Sequence, residues 1–176
     1  MLADNANEER SYINSSKINQ RKNKMDKPKF TYVAYIKTTP EKLWTALTSS
    51  DFTQQYWWGR RIESDWQKGS PIKIIMENGQ IDLQGELLQV EKLKVISYTF
   101  EVKWKEEFSK EPPSRVTYEI KPQGAVVRLT VTHDEFESGS KLYEGVSEGW
   151  PTILSGLKTL LETGEPLFIG KDDSPC

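Results

Sequence analysis

The chain has 176 residues, of which 36% are hydrophobic and 28% charged, and its formal net charge is −2. These values fit one soluble domain and argue against a nucleic-acid binder, which usually carries a strongly basic domain. No apolar run approaches the roughly 18 residues of a membrane span, and the N-terminus lacks the apolar core of a secretory signal, so we expect a cytoplasmic protein.

The chain has a single cysteine, Cys176, and a single histidine, His133. One cysteine cannot form an intramolecular disulfide or a thiolate metal site. Zinc is rarely held by one imidazole plus carboxylates. We therefore expect no metal and no cofactor.

Residues 1–29 are polar and contain seven Lys or Arg against four Asp or Glu. Such a segment buries too little apolar surface to offset the entropy of ordering it. We predict a disordered tail, and Met25 is a candidate natural start. The alternative is a basic arm that contacts nucleic acid or an acidic membrane surface.

The first structured segments are a strand and two short helices. Alternating large residues from Phe30 to Ile36 predict the strand. Thr39 followed by Pro40 has the pattern of an N-cap and a first helical position, and apolar residues at helical spacing follow. The run DFTQQYWW predicts a second short helix that ends at Trp57 and Trp58.

Residues 59–134 alternate with period two and predict about six consecutive antiparallel strands. Asn78-Gly79 is a tight-turn signal between two of them, and Gly85 suggests a bulge in a long bent strand. The charged stretch KEEFSKEPPS predicts a loop. In the last strand His133 shares its parity with Leu129 and Val131, so we expect it to point inward.

The final segment switches to helical periodicity between Lys141 and Thr163, with one apolar stripe. Pro151 predicts a kink or a restart in this helix. Gly164 followed by Pro166 predicts its end.

The order of the elements predicts an α+β domain over residues 30–167, followed by a short tail, 168–176. The sheet must cover its apolar face, and the final helix is the only element long enough to do so. Because a bent sheet and one helix rarely fill the space between them, we expect a cavity of about a few hundred cubic ångströms.

Three stretches of the sequence also resemble a known family. They are TPEKLWTALT with YWW, RLTVTHDEF, and EGWPTILSGLKTLLETGEPL. Over residues 30–167 they are similar to the SRPBCC (START-like) superfamily, and most similar to the branch named after the activator of heat-shock-protein-90 ATPase. The resemblance implies the helix-grip fold, a curved antiparallel sheet of about six to seven strands around a long C-terminal helix. It also implies a cavity for an apolar or aromatic small molecule.

The candidate cavity residues fall into three groups. Some should point inward from a strand, some lie on the apolar stripe of the final helix, and some lie at the expected mouth of the cavity. Each has an alternative role as a core residue. They are Trp57, Trp58, Ile74, Met76, Tyr98, Phe100, Trp104, Tyr118, Leu129, His133, Trp150, Ile153, Leu154 and Leu157.

Three functional hypotheses follow from these features. The first is a carrier or sensor that binds a small hydrophobic or aromatic molecule, lipid-like or polyketide-like, without catalysis. The second is a cyclase-type or hydrolase-type enzyme with His133 as the base, although no carboxylate is placed beside it by local spacing. The third is a protein-binding module that regulates a chaperone. We rank it below ligand binding because only 29 polar residues precede the domain, where eukaryotic activators have a further domain.

Overall fold

The computed structural model describes residues 27–103 and 105–167. Most of the predicted N-terminal tail, with Met25, lies outside the described residues, as do the predicted tail 168–176 and the candidate Trp104. The elements in chain order are β1 (Phe30–Ile36), α1 (Pro40–Thr48), α2 (Ser50–Tyr56), β2 (Arg61–Ser64), β3 (Pro71–Ile75), β4 (Ile81–Glu91), β5 (Val95–Val102), α3 (Glu106–Ser109), β6 (Ser114–Gln123), β7 (Val126–Asp134) and α4 (Lys141–Thr163).

The seven strands form one antiparallel sheet in the order β1-β7-β6-β5-β4-β3-β2. Strands β2 to β7 are a meander, and β1 joins it beside β7. Helix α4 contacts β1 and all three shorter helices. This curved sheet with a long C-terminal helix is the predicted helix-grip fold.

The start of α1 follows the predicted capping pattern. The Thr39 side-chain oxygen accepts a hydrogen bond from the Lys42 backbone nitrogen at 3.3 Å, and Pro40 occupies the first helical position. An N-cap side chain satisfies a backbone donor that has no partner within the helix. The local sequence therefore determines where this helix begins.

Gly85 lies in β4 where another backbone comes too close for a side chain. A Cβ atom built on Gly85 would lie 1.7 Å from the carbonyl oxygen of Thr99. The register shift between β4 and β5 falls between Leu87 and Gln89, two residues beyond the predicted bulge position. Gly85 thus permits the close approach of β5, and the register shifts of β4 lie on either side of it, one against β3 between Ile81 and Leu83 and one against β5 between Leu87 and Gln89.

Helix α4 runs through Pro151 as one uninterrupted helix, so the predicted restart does not occur. It ends where predicted, with Gly164 in the left-handed conformation at φ +81°. Its N-terminus is capped from a distant segment. Glu111 accepts hydrogen bonds from the backbone nitrogens of Lys141 and Leu142 at 3.0 and 3.1 Å.

The predicted charged loop between β5 and β6 contains the short helix α3, which the sequence analysis did not predict. Phe108 of α3 is buried, while its charged neighbours Glu106 and Glu107 are exposed. The same segment carries Glu111, so it touches both the interior and the start of α4. This placement brings the segment next to the site described below.

Candidate ligand-binding site

A partly open pocket lies between α4, the segment that follows α2, α3, and the adjoining ends of β4 and β5. Its volume is about 50 Å³. Most of the lining side chains are apolar or aromatic, and two are charged. The lining residues are Trp57, Trp58, Arg60, Asp82, Leu83, Phe100, Val102, Phe108, Leu142, Val146, Gly149, Trp150 and Ile153.

The pocket is smaller than the few hundred cubic ångströms expected from the sequence. About 50 Å³ holds roughly three to five water molecules, since each needs on the order of 10–15 Å³. Large aromatic side chains occupy the space between sheet and helix. The rings of Trp57 and Trp150 lie 5.7 Å apart, and that of Tyr118 lies 6.1 Å from Trp150.

Trp58 forms a wall of the pocket in a strained backbone conformation. Its φ angle is +46°, in the left-handed region that a bulky side chain rarely adopts. A tight turn after α2 holds this conformation, because Arg60 donates its backbone N–H to the carbonyl oxygen of Trp57 at 2.9 Å. The half-buried Trp58 indole lies opposite Gly149 of α4, whose Cβ position would be 3.9 Å from the ring. An alanine at 149 would be in ordinary van der Waals contact with this ring.

Arg60 and Asp82 form a buried ion pair in the pocket lining. The Arg60 Nε atom donates to Oδ2 of Asp82, and the two side chains are only 10% and 11% exposed. The Arg60 guanidinium carbon also lies 5.5 Å from the centre of the Trp58 ring, within the range of a cation–π interaction. The pocket therefore combines apolar walls with a polar site that contains this ion pair.

The other side of the pocket is formed by α3 and the first turns of α4. Phe108, Leu142 and Val146 contribute apolar side chains there. Glu111 and the N-cap residue Ser140 join these two segments, since the Ser140 hydroxyl donates to Glu111 Oε2. These hydrogen bonds join Glu111 to residues that lie 29 to 31 positions later in the chain, and they hold this side of the site in place.

Five of the candidate residues from the sequence analysis line this pocket, and eight lie elsewhere. The five are Trp57, Trp58, Phe100, Trp150 and Ile153. Of the rest, Met76 is partly buried after β3, and the other seven are buried in the core. These eight are Ile74, Met76, Tyr98, Tyr118, Leu129, His133, Leu154 and Leu157.

His133 is fully buried, and both of its ring nitrogens are hydrogen-bonded. The Trp150 indole N–H donates to Nδ1 at 3.0 Å, and Nε2 lies 2.8 Å from the Ser114 hydroxyl oxygen. An indole nitrogen only donates, so the neutral imidazole must carry its hydrogen on Nε2. The Ser114 hydroxyl donates onward to the carbonyl oxygen of Phe100 at 3.3 Å.

Burial lowers the pKa of His133 to about 3, because the charged ring would lose its hydration. A general base near neutral pH must reach a substrate proton, whereas His133 does not line the pocket. These contacts favour a structural role in the core, which was the alternative for this residue.

The hydroxyl groups of the buried residues Tyr98 and Tyr118 also form a hydrogen bond with each other. The hydroxyl oxygens of Tyr98 and Tyr118 lie 3.4 Å apart. Burial is the main cause of the raised pKa of both phenols. Their hydroxyl groups therefore have a partner without a ligand.

Several lining residues were missed by the sequence analysis, although some had a signal. Leu142 and Val146 lie on the predicted apolar stripe of α4, and Phe108 is the one large apolar residue in KEEFSKEPPS. Arg60 and Asp82 had no such signal. They are 22 positions apart, and no local periodicity relates them.

Within residues 27–103 and 105–167, no helix is long and apolar enough to cross a membrane. The same part of the chain contains no group of three or more His, Cys, Asp or Glu side chains placed to hold a metal ion.

Solved structures with the same fold cover most of this chain. The protein MLL2253 from Mesorhizobium loti is 26% identical, with 76% of this chain and 96% of that chain covered and a TM-score of 0.65. The Aha1 dimer from Colwellia psychrerythraea is 20% identical, with 78% and 98% covered and a TM-score of 0.64. PFC0360w, an HSP90 activator from Plasmodium falciparum, is 20% identical, with 76% and 95% covered and a TM-score of 0.62.

No curated protein matches the sequence significantly. The family described as "Activator of Hsp90 ATPase homolog 1-like protein" matches residues 37–162. That range extends from the residue after β1 almost to the end of α4 and includes every pocket residue. The chain therefore belongs to the Activator of Hsp90 ATPase homolog 1-like family.

Proposed function

We propose that this protein is a non-catalytic carrier or sensor that binds a small hydrophobic or aromatic molecule in the pocket, in the cytoplasm. The observation that carries the proposal is the composition of the lining, where three indoles and several aliphatic side chains surround one ion pair. Small-molecule sites commonly combine apolar and aromatic walls with a few polar groups.

Binding requires the pocket to enlarge, since about 50 Å³ is well below the roughly 300 Å³ of a typical ligand site. Trp58 is the wall best suited to move. It is half-buried, its backbone is strained, and its ring lies opposite Gly149, which has no side chain. Displacing an indole vacates the space of two fused rings, which sets the expected size of the guest at two rings or more.

The test compares the full-length protein with Trp58→Ala in thermal-shift and calorimetric titrations against two-ring aromatic compounds. Trp58→Ala removes the wall in advance, so we expect these compounds to bind it about tenfold more tightly than the native protein.

The matched control is Trp66→Ala. Trp66 is also half-buried and has a positive φ of +57°, but it does not line the pocket. We expect this variant to bind like the native protein. If none of the compounds binds either the native protein or Trp58→Ala, the proposal is overturned.

A second candidate is regulation of a chaperone ATPase. Family membership favours it, together with the similarity to PFC0360w, an HSP90 activator. The test measures the ATPase rate of the chaperone from the same cell with and without an equimolar amount of this protein. Stimulation of several-fold supports this function, and an unchanged rate together with no detectable complex rejects it.

A further inference from the structure

We infer that His133 is a positioning residue of this pocket, which keeps the Trp150 N–H group bonded in the core so that this wall offers a ligand no hydrogen-bond donor. The inference rests on the proposed ligand binding and deepens it, because it names a residue that selects ligands without touching them. It begins from a chain of three hydrogen bonds that joins two pocket walls, Phe100 and Trp150, through the core.

The chain fixes which nitrogen of His133 faces Trp150. The Ser114 hydroxyl donates to the carbonyl oxygen of Phe100 at 3.3 Å, so its own oxygen is left to accept from Nε2 of His133, which lies 2.8 Å away. With the ring hydrogen on Nε2, Nδ1 of the neutral imidazole is an acceptor. The Trp150 indole N–H donates to this Nδ1 atom at 3.0 Å. The direction of the chain cannot be reversed, because an indole nitrogen never accepts a hydrogen bond.

His133 lies behind the pocket walls rather than among them. It is 0% exposed and does not line the pocket, whereas Phe100 and Trp150 both do. The centre of its ring lies 4.7 Å from that of Phe100 and 4.4 Å from that of Phe136. This packing holds the imidazole in place, so the hydrogen bond to Nδ1 also holds the indole of Trp150.

The effect on a ligand follows from the number of donors. An indole has one N–H group, and that of Trp150 is already bonded to His133. A carbonyl or ether oxygen of a ligand placed against Trp150 would lose its hydration and gain no hydrogen bond there, which costs free energy. The Trp150 wall therefore favours a hydrocarbon part of the ligand.

Removing the acceptor at position 133 should reverse this preference. The buried N–H of Trp150 would then lack a partner, which carries a desolvation cost. Turning the indole towards the pocket would let a ligand oxygen accept the hydrogen bond and recover that cost.

Two probes that differ in one group test the inference. They are 2-ethylnaphthalene and 2-acetylnaphthalene, which have nearly the same shape, although only the ketone can accept a hydrogen bond. Both are titrated into the full-length native protein and its variants, and the indole N–H resonances in NMR spectra give the dissociation constants. The readout is the ratio of the two constants, because a general loss of stability weakens both probes together and leaves their ratio unchanged.

Three variants locate the effect. His133→Leu removes the acceptor, whereas His133→Gln keeps one, since its amide can accept from the indole and donate to Ser114. We expect the ratio to move about fivefold in favour of the ketone in His133→Leu, and to stay within about twofold of the native value in His133→Gln, as one hydrogen bond between neutral groups predicts. The control is Ser97→Ala, which removes buried hydrogen bonds to Val116 and Thr117 outside the pocket and should keep the native ratio.

A measurement on the native protein decides the matter even if His133→Leu does not fold. Hydrogen exchange of the Trp150 indole N–H is followed by NMR with and without bound 2-acetylnaphthalene. We expect exchange to be equally slow in both states, because the bond to His133 persists when the pocket is occupied. Faster exchange in the bound state would show that the indole has left its acceptor, which overturns the inference.

The possible results separate the two proposals. If the probes bind but His133→Leu has the native ratio, the inference is overturned while ligand binding stands. The same holds if His133→Gln or Ser97→Ala shifts the ratio as much as His133→Leu. If neither probe binds the native protein or Trp58→Ala, both the proposed function and the inference fail.

Discussion

His133 shows how one buried side chain can make stability depend on pH. Its two nitrogens bond to Trp150 and Ser114, and its ring packs 4.7 Å from Phe100 and 4.4 Å from Phe136 between ring centres. The neutral ring fits this environment, whereas a protonated ring would lose its acceptor at Nδ1. The core therefore favours the neutral form of the only histidine in the chain.

We predict that the native protein loses stability as the pH falls from about 6.5 towards 3 because of this residue. The pKa of His133 falls from 6.5 to about 3 on folding, so only the unfolded chain takes up the proton in that window. Stability is fully present above pH 6.5 and is lost as the pH falls. The free energy of unfolding should drop by about 2 kcal/mol between pH 7 and pH 5.

The measurement is urea unfolding at a series of pH values for the native protein and His133→Gln. A glutamine side chain can still accept and donate hydrogen bonds, but it does not titrate. We expect the variant to be less stable at pH 7 and nearly flat between pH 7 and pH 5. Parallel losses in both proteins would contradict the assignment.

At the scale of the element, the start of α4 depends on a carboxylate from a distant segment. Ser140 caps the helix by accepting from the Tyr143 backbone nitrogen at 3.0 Å. Glu111 then accepts from the Ser140 hydroxyl and from the next two backbone nitrogens. The same segment carries Phe108 to the pocket, so the cap and the pocket wall are held together.

We predict that Glu111→Ala lowers the free energy of unfolding by about 1–2 kcal/mol, because helix N–H groups lose their acceptor and the favourable charge at the N-terminus. Urea unfolding measures the loss. Glu106→Ala is the control, since Glu106 pairs with Lys110 on the surface four positions away and should cost under about 0.5 kcal/mol. Equal losses in the two variants would show that the Glu111 cap adds no stability.

At Gly85, strand β4 depends on the close approach of its neighbour, strand β5. Its Cβ would lie 1.7 Å from the Thr99 carbonyl oxygen, whereas that of Gly149 would lie 3.9 Å from its nearest side-chain neighbour. We predict that Gly85→Ala costs more than about 2 kcal/mol, since strand β5 must shift to accommodate it.

Gly149→Ala is the matched control, and it should be neutral or stabilise the helix by up to about 1 kcal/mol. Thermal unfolding of both variants, followed by circular dichroism, checks the contrast. A stable Gly85→Ala protein would mean that β4 and β5 are further apart than described.

For the whole molecule, the sheet and α4 share one core. Leu157 of α4 and Leu129 of β7 are fully buried, and Ile96 of β5 is only 1% exposed. The sheet and helix α4 are stable only when they cover each other, because either one by itself would expose a large apolar surface to water. We therefore expect the helix and the sheet to unfold together.

We predict that Leu157→Ala destabilises the entire domain by about 2–5 kcal/mol and keeps a single unfolding transition. Far-ultraviolet and near-ultraviolet circular dichroism should give the same midpoint. Leu161→Ala, at a partly buried position one turn later, should cost less. Loss of helix signal before the tryptophan signal would contradict a common core.

The succession of elements could be predicted from the sequence because each depends on neighbours along the chain. The inward parity of β7, the Thr39 cap and the Gly164 end of α4 are local patterns, and the structure confirms all three. The short helix α3 was missed because its four residues are too few for periodicity to appear. The position of the β4 bulge was also wrong, since register depends on the partner strand.

The sequence by itself determined the strands, the long helix and the apolar face that each presents, because hydrophobic periodicity and capping act over a few residues. Only the tertiary structure decided the size of the pocket and the place of its polar group. The pocket volume is what remains after Trp57, Trp58 and Trp150 have packed, and the ion pair joins residues 22 positions apart. Both depend on distances between side chains that are remote in the chain, and those distances exist only once the sheet has closed around the helix.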